Sequence, residues 1–178
     1  TGTAVTAPLY TRGWDGVTSA TRGYSTEMPA GYSNNISGYH TGLALGNITN
    51  AGQTSGIKMY SGSGDILLRG RSTSAAYSVI VGITTYGGED INAGTSGNIS
   101  FYGIGQGTSS ARGIDIHAWR SSSSAASTYQ VNNGNIYLSG IASGSSNDIG
   151  FQAETYGSKP LNLYATGTGT ITVYGNAT

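Results

Sequence analysis

The chain has 178 residues, with eight Lys and Arg against eight Asp and Glu, 30 Gly and no Cys. A net charge of zero, with charged residues at only 9 %, excludes the basic footprint that nucleic acid or an anionic membrane surface requires. Without cysteine there is no disulfide framework and no thiolate metal site, and apolar residues at 37 % in a fixed pattern speak against disorder. No apolar run approaches transmembrane length, and no signal peptide opens the chain. A first residue of Thr1 rather than Met reads as a mature product or an excised piece.

Residues 1–38 carry Pro8, Trp14, Pro29 and several tyrosines but no recurring phrase. Asn35-Ile36-Ser37-Gly38 reads as a truncated strand. Three readings of this segment stand: a degenerate coil, a cap over the core, or a strand-swapping arm, because the end of a stacked β array leaves backbone and apolar side chains to be covered.

From residue 39 onward three phrases recur. Phrase A is Gly42-Leu43-Ala44-Leu45, then Ser78-Val79-Ile80-Val81, Gly113-Ile114-Asp115-Ile116 and Asp148-Ile149-Gly150-Phe151. Phrase B is Ile57-Lys58-Met59, Ile91-Asn92-Ala93, Tyr129-Gln130-Val131 and Leu161-Asn162-Leu163. Phrase C is the clearest, with a glycine at each end: Gly64-Asp65-Ile66-Leu67-Leu68-Arg69-Gly70, Gly97-Asn98-Ile99-Ser100-Phe101-Tyr102-Gly103, Gly134-Asn135-Ile136-Tyr137-Leu138-Ser139-Gly140 and Gly169-Thr170-Ile171-Thr172-Val173-Tyr174-Gly175. Each alternates apolar with variable residues, the mark of a short strand with one apolar face. No useful apolar pattern at helical spacing occurs, and Gly and Ser fill the gaps.

Repetition at this period predicts an all-β, parallel β-helix of about four to five coils, each of roughly 35 residues with three short strands. Two smaller coils per period is the alternative, but only three phrases recur. The right hand follows from the general preference for right-handed crossovers. Equivalent side chains then stack in columns about 4.8 Å apart. In phrase C the inward columns are Ile66, Ile99, Ile136, Ile171 and Leu68, Phe101, Leu138, Val173. In phrase A they read Leu43, Val79, Ile114, Ile149 and Leu45, Val81, Ile116, Phe151. In phrase B they read Ile57, Ile91, Tyr129, Leu161 and Met59, Ala93, Val131, Leu163. The division is thus an irregular or capping segment, 1–38, followed by β-helix repeats, 39–178. The last phrase C runs to Thr178 without a cover, as in a piece of a longer rod or a subunit that stacks on a neighbour.

Phrase C at Gly97–Gly103 and Gly134–Gly140, with the Gly/Ser loop leading to Gly113-Ile114-Asp115-Ile116, resembles the repeats of filamentous-haemagglutinin-like bacterial exoproteins of the two-partner secretion type. The resemblance covers about residues 35–175. It implies a right-handed β-helical shaft, an extracellular or bacterial cell-surface location, and attachment, biofilm or cell–cell contact as the role. The secretion module of that family is not recognisable in residues 1–37.

Little in the chain points to chemistry. A polysaccharide lyase or hydrolase on this fold needs paired carboxylates on one outer face. Asp115 faces outward on phrase A, whereas Glu89 and Asp90 precede phrase B, so they fall on different faces as solvated surface acids. Asp65 has Asn98, Asn135 and Thr170 in its column, so no carboxylate pair forms there. His40 and His117 share at most an edge and lack further metal ligands. Gly103-Ile104-Gly105-Gln106-Gly107 has no βαβ context for dinucleotide binding. The Asn-x-Ser/Thr triplets at Asn35, Asn47, Asn98 and Asn176 come, at Asn98, from the strand phrase itself. An ice-binding lattice fails because Thr172 has Leu67, Ser100 and Tyr137 in its column.

The outward columns of phrase C are Leu67, Ser100, Tyr137, Thr172 and Arg69, Tyr102, Ser139, Tyr174. Tyr102, Tyr137 and Tyr174 form a candidate ligand-binding strip, with flat apolar faces and polar tips for a glycan or a cell-surface protein. The expectation is a non-enzymatic adhesive segment with no cofactor, no metal, no nucleic acid and no membrane insertion. The alternatives are a filament subunit associating head to tail and, behind it, a polysaccharide-binding or polysaccharide-degrading β-helix.

Overall fold

The computed structural model describes residues 39–45, 47–48, 54–55, 57–74, 79–85, 87–117, 126–154 and 160–178; the segment 1–38 lies outside them. Among the described residues there is no helix, and the strands form three parallel four-stranded sheets. The chain is a parallel β-helix. Its first coil holds β1 (Tyr39–Leu45), a short antiparallel pair β2 (Asn47–Ile48) and β3 (Thr54–Ser55), then β4 (Lys58–Tyr60) and β5 (Ile66–Ser74). The second holds β6 (Val79–Thr85), β7 (Asp90–Asn92) and β8 (Ile99–Gly107). The third holds β9 (Ser110–His117), β10 (Ser127–Val131) and β11 (Ile136–Ser143), and the fourth β12 (Ile149–Glu154), β13 (Leu161–Ala165) and β14 (Ile171–Ala177). Sheet A is β1-β6-β9-β12, sheet B β4-β7-β10-β13 and sheet C β5-β8-β11-β14.

Sheet C has the register its glycine-bounded phrase predicts. Ile66, Ile99, Ile136 and Ile171 align, as do Leu68, Phe101, Leu138 and Val173. Ile99, Phe101, Ile136 and Leu138 are completely buried, each burial contributing about 1.5–3 kcal/mol. Phe101 meets Tyr129 of sheet B with ring centroids 5.3 Å apart, tying two sheets together across the core.

Sheets A and B correct the expected columns. In sheet A the true columns are Leu43, Ile83, Ile114, Phe151 and Leu45, Thr85, Ile116, Ala153. Val79 instead lies opposite Tyr39 and Ser110, and Ile149 opposite Arg112. In sheet B the main column is Met59, Ile91, Tyr129, Leu163, so the end coils are slipped by two from expectation.

The physical reason lies in a waist made of glycine. The ladder of sheet A skips Gly42, Gly82, Gly113 and Gly150, while the residues on either side stay in register. These glycines press against the backbone of sheet C at Arg71 and at Gly103, Gly140 and Gly175. A methyl group on Gly113 would sit 2.5 Å from the carbonyl carbon of Gly140, and one on Gly42 2.5 Å from the backbone of Arg71. Only hydrogen fits where two sheets approach so closely. The phrase that sets the register is therefore Gly followed by an apolar residue. On the far side of the waist Ile80, Ala111, Ser72 and Ala142 form a thin second layer and are also fully buried.

Between sheets B and C each coil makes a short turn, and these turns stack. The Nδ2 and main-chain N–H of Asn98 both donate to Oδ1 of Asp65 at 2.8 Å. Asn135 repeats this onto Asn98 Oδ1 at 2.9 and 3.1 Å, and Thr170 onto Asn135 Oδ1 at 3.1 Å from nitrogen and 2.7 Å from its hydroxyl. The column read from the sequence is thus a side-chain ladder parallel to the helix axis.

Candidate functional site

The alternation that buries Ile136 and Leu138 turns Tyr137 outward, and the same holds for Tyr102 and Tyr174 on their strands. All three predicted tyrosines lie on the outer face of sheet C. Arg69, Tyr102, Ser139 and Tyr174 form one column, and Leu67, Ser100, Tyr137 and Thr172 the next. The Tyr102 and Tyr137 rings meet at 5.4 Å and 45°, and the Arg69 guanidinium carbon lies 5.7 Å from the Tyr102 ring centre. Tyr174 stands one rung beyond Tyr137, on the diagonal, and is 48 % exposed. Buried Ser139 separates Tyr102 from Tyr174 in their column, so a small residue floors a notch edged by three rings. Leu67, Ile104 and Ile141 add apolar area to this face, whose chemistry is aromatic and aliphatic with two arginines, Arg69 and Arg71, at the first-coil end.

The acids stand differently from expectation. Glu89 and Asp115 are buried, not solvated. Asp115 does lie in the outward column of sheet A, with Ala44, Thr84 and Gln152, but that side of the sheet is closed at Thr84 and Asp115. Asp115 pairs with Arg112 at 2.5 Å. Glu89 accepts hydrogen bonds from the Gly87 N–H at 2.8 Å and the Ser127 hydroxyl at 2.6 Å, where Gly87 and Gly88 both have positive φ. Nearby Tyr129 is wholly buried, and burial, then the field of Glu89, pushes its phenol well above the ordinary value. The Thr85 hydroxyl opposes that rise, although among the described residues neither its oxygen nor that of Tyr129 has a partner in hydrogen-bond geometry. Asp148 fastens a loop, accepting from Ala111 N–H at 2.9 Å and Gly144 N–H at 2.6 Å. Among the described residues no three of His, Asp and Glu converge as a metal site. His40 and His117 fall near opposite ends of sheet A, in coils one and three.

A second outer face went unnoticed in the sequence. Sheet B turns out Tyr60, Asn92, Gln130 and Tyr164 in one column, with Lys58, Asp90, Thr128 and Asn162 in the next. Tyr60 is 63 % and Tyr164 48 % exposed. The Tyr60 hydroxyl donates to the Asp90 carboxylate across the rung, and this bond, ahead of burial and the carboxylate's field, raises the Tyr60 phenol above its ordinary value. The available signal was the residues between the apolar positions of phrase B, once its register is corrected.

Comparison with protein families, curated proteins and solved structures finds no match to this chain.

Proposed function

We propose that this chain is a rod-like, non-enzymatic segment of a secreted or cell-surface bacterial β-helical adhesin, acting in attachment or cell–cell contact. The observation that carries this reading is the Arg69–Tyr102–Tyr137–Tyr174 strip, an aromatic face on a stacked scaffold with arginine at its first-coil end. Aromatic residues and arginine are the side chains enriched where proteins meet partners. A shaft that presents many modest contacts gains strength by avidity. The likeness of phrase C to filamentous-haemagglutinin-like repeats supports the extracellular location.

The test replaces Tyr102, Tyr137 and Tyr174 together by Ser and measures binding of protein-coated beads to host or bacterial cells. The β-sheet circular dichroism should persist and adhesion should fall to background; adhesion at the unsubstituted level refutes the strip. A second reading, a self-assembling filament subunit, draws on the fourth coil, where Ile171 and Val173 are 44 % and 46 % exposed on a strand with one edge unpaired among the described residues. Such an edge accepts another rung, and a head-to-tail contact between copies builds an open filament. Electron microscopy of the pure chain separates the two: dispersed particles favour the segment, fibres the subunit.

A further inference from the structure

Sheet B carries a second and chemically distinct surface, independent of the adhesin reading and of the tyrosine strip on sheet C. Tyr60, Asn92, Gln130 and Tyr164 succeed one another in register, one per coil, along the helix axis. Asn92 accepts the Gly94 N–H through Oδ1 at 2.7 Å, which leaves its Nδ2 hydrogens to another acceptor. Gln130 is exposed, and no hydrogen bond of its side-chain amide is formed among the described residues. Asp90 holds the tip of the Tyr60 ring across the neighbouring rung, so that ring is positioned before any ligand arrives. Lys58 and Asp90 stand opposite each other in register, so the face carries no net charge to attract an ionic polymer.

We infer that this column binds a linear, neutral, β-linked polysaccharide lying along the helix axis. Two aromatic platforms with amides between them are what a sugar chain needs, because each pyranose offers an apolar face to a ring and hydroxyls to amide donors and acceptors. The rung spacing of about 4.8 Å is close to the advance of one pyranose along an extended chain, so successive sugars meet successive coils. Tyr60 and Tyr164 are three rungs apart, about 14 Å, so a ligand must span four units to touch both rings. A disaccharide reaches only one.

The experiment uses the full 178-residue chain and isothermal titration with β-1,4-linked hexaoses of glucose, mannose and xylose, the corresponding disaccharides, and polygalacturonate. At least one neutral hexaose should bind, at least about tenfold more tightly than its disaccharide and than polygalacturonate. The Tyr60→Ala/Tyr164→Ala pair should lose about tenfold or more, and Gln130→Ala a smaller factor, with circular dichroism unchanged. The sheet C variant Tyr137→Ser should bind the hexaose as the unsubstituted chain does, which separates this surface from the adhesive strip. No binding to any of the three hexaoses, equal affinity for disaccharide and hexaose, or full binding by the double tyrosine variant overturns the inference.

Discussion

Gly103→Ala tests whether the waist is set by backbone contact. Gly103 does not have positive φ, so alanine suits its conformation and, given room, would stabilise the fold by about 0.4–1 kcal/mol through the unfolded chain. There is no room. The added methyl would lie 2.8 Å from both Ile114 Cγ1 and the carbonyl carbon of Gly113, and closer still to the Gly113 oxygen. Ile114 is fully buried and Gly113 is main chain, so neither yields cheaply. The expected loss is about 2–3 kcal/mol, the upper part of the overpacking range, or about 4–12 °C in Tm. Gly62→Ala is the control, since a methyl there meets nothing within 4 Å. Urea unfolding followed by circular dichroism measures both; the refuting result is a Gly103→Ala loss no larger than that of Gly62→Ala.

Other positions make sharp contrasts. Ile136 and Ile171 share a column, but Ile136 is fully buried and Ile171 is 44 % exposed; Ile136→Ala should cost about 2–5 kcal/mol in urea titration and Ile171→Ala clearly less. Asn98→Asp removes a donor to Asp65 and sets two carboxylates on adjacent rungs, which should cost about 1–2 kcal/mol at pH 7. The loss comes from repulsion between two charged carboxylates, so it should shrink in acid, where the charge is lost. Tyr129 has a raised pKa in the fold, so its neutral form is favoured there. Its contribution is complete below the unfolded value of about 10 and drains away as pH rises above it. Tyr129→Phe should therefore leave stability at pH 7 within about 1 kcal/mol, since the buried hydroxyl has no hydrogen-bond partner among the described residues, and flatten the loss above pH 10 in alkaline urea titrations.

Much of the architecture was legible in the chain because a parallel stack repeats one environment per coil, and repeated environments select repeated residues. Phrase C shows this best: Asp65, Asn98, Asn135 and Thr170 were placed in one column by spacing alone, and the hydrogen-bonded ladder lies there. The outward direction of Tyr102, Tyr137 and Tyr174 followed from alternation against buried Ile and Leu neighbours. Phrase A misled because Val79, Ile80 and Val81 look like the core segment although they precede the waist. Both layers there are apolar, so hydrophobicity cannot tell one from the other.

The sequence alone determined a β-helix with three strands per coil and the register of sheet C. The tertiary structure alone decided that sheets A and C touch backbone to backbone, that Glu89 and Asp115 are buried, and that Tyr60, Asn92, Gln130 and Tyr164 share a column. The division has a physical cause. Alternation along a strand is local and is written in neighbouring residues, whereas sheet-to-sheet distance and the alignment of coils with unequal loops depend on contacts between residues 30–40 positions apart.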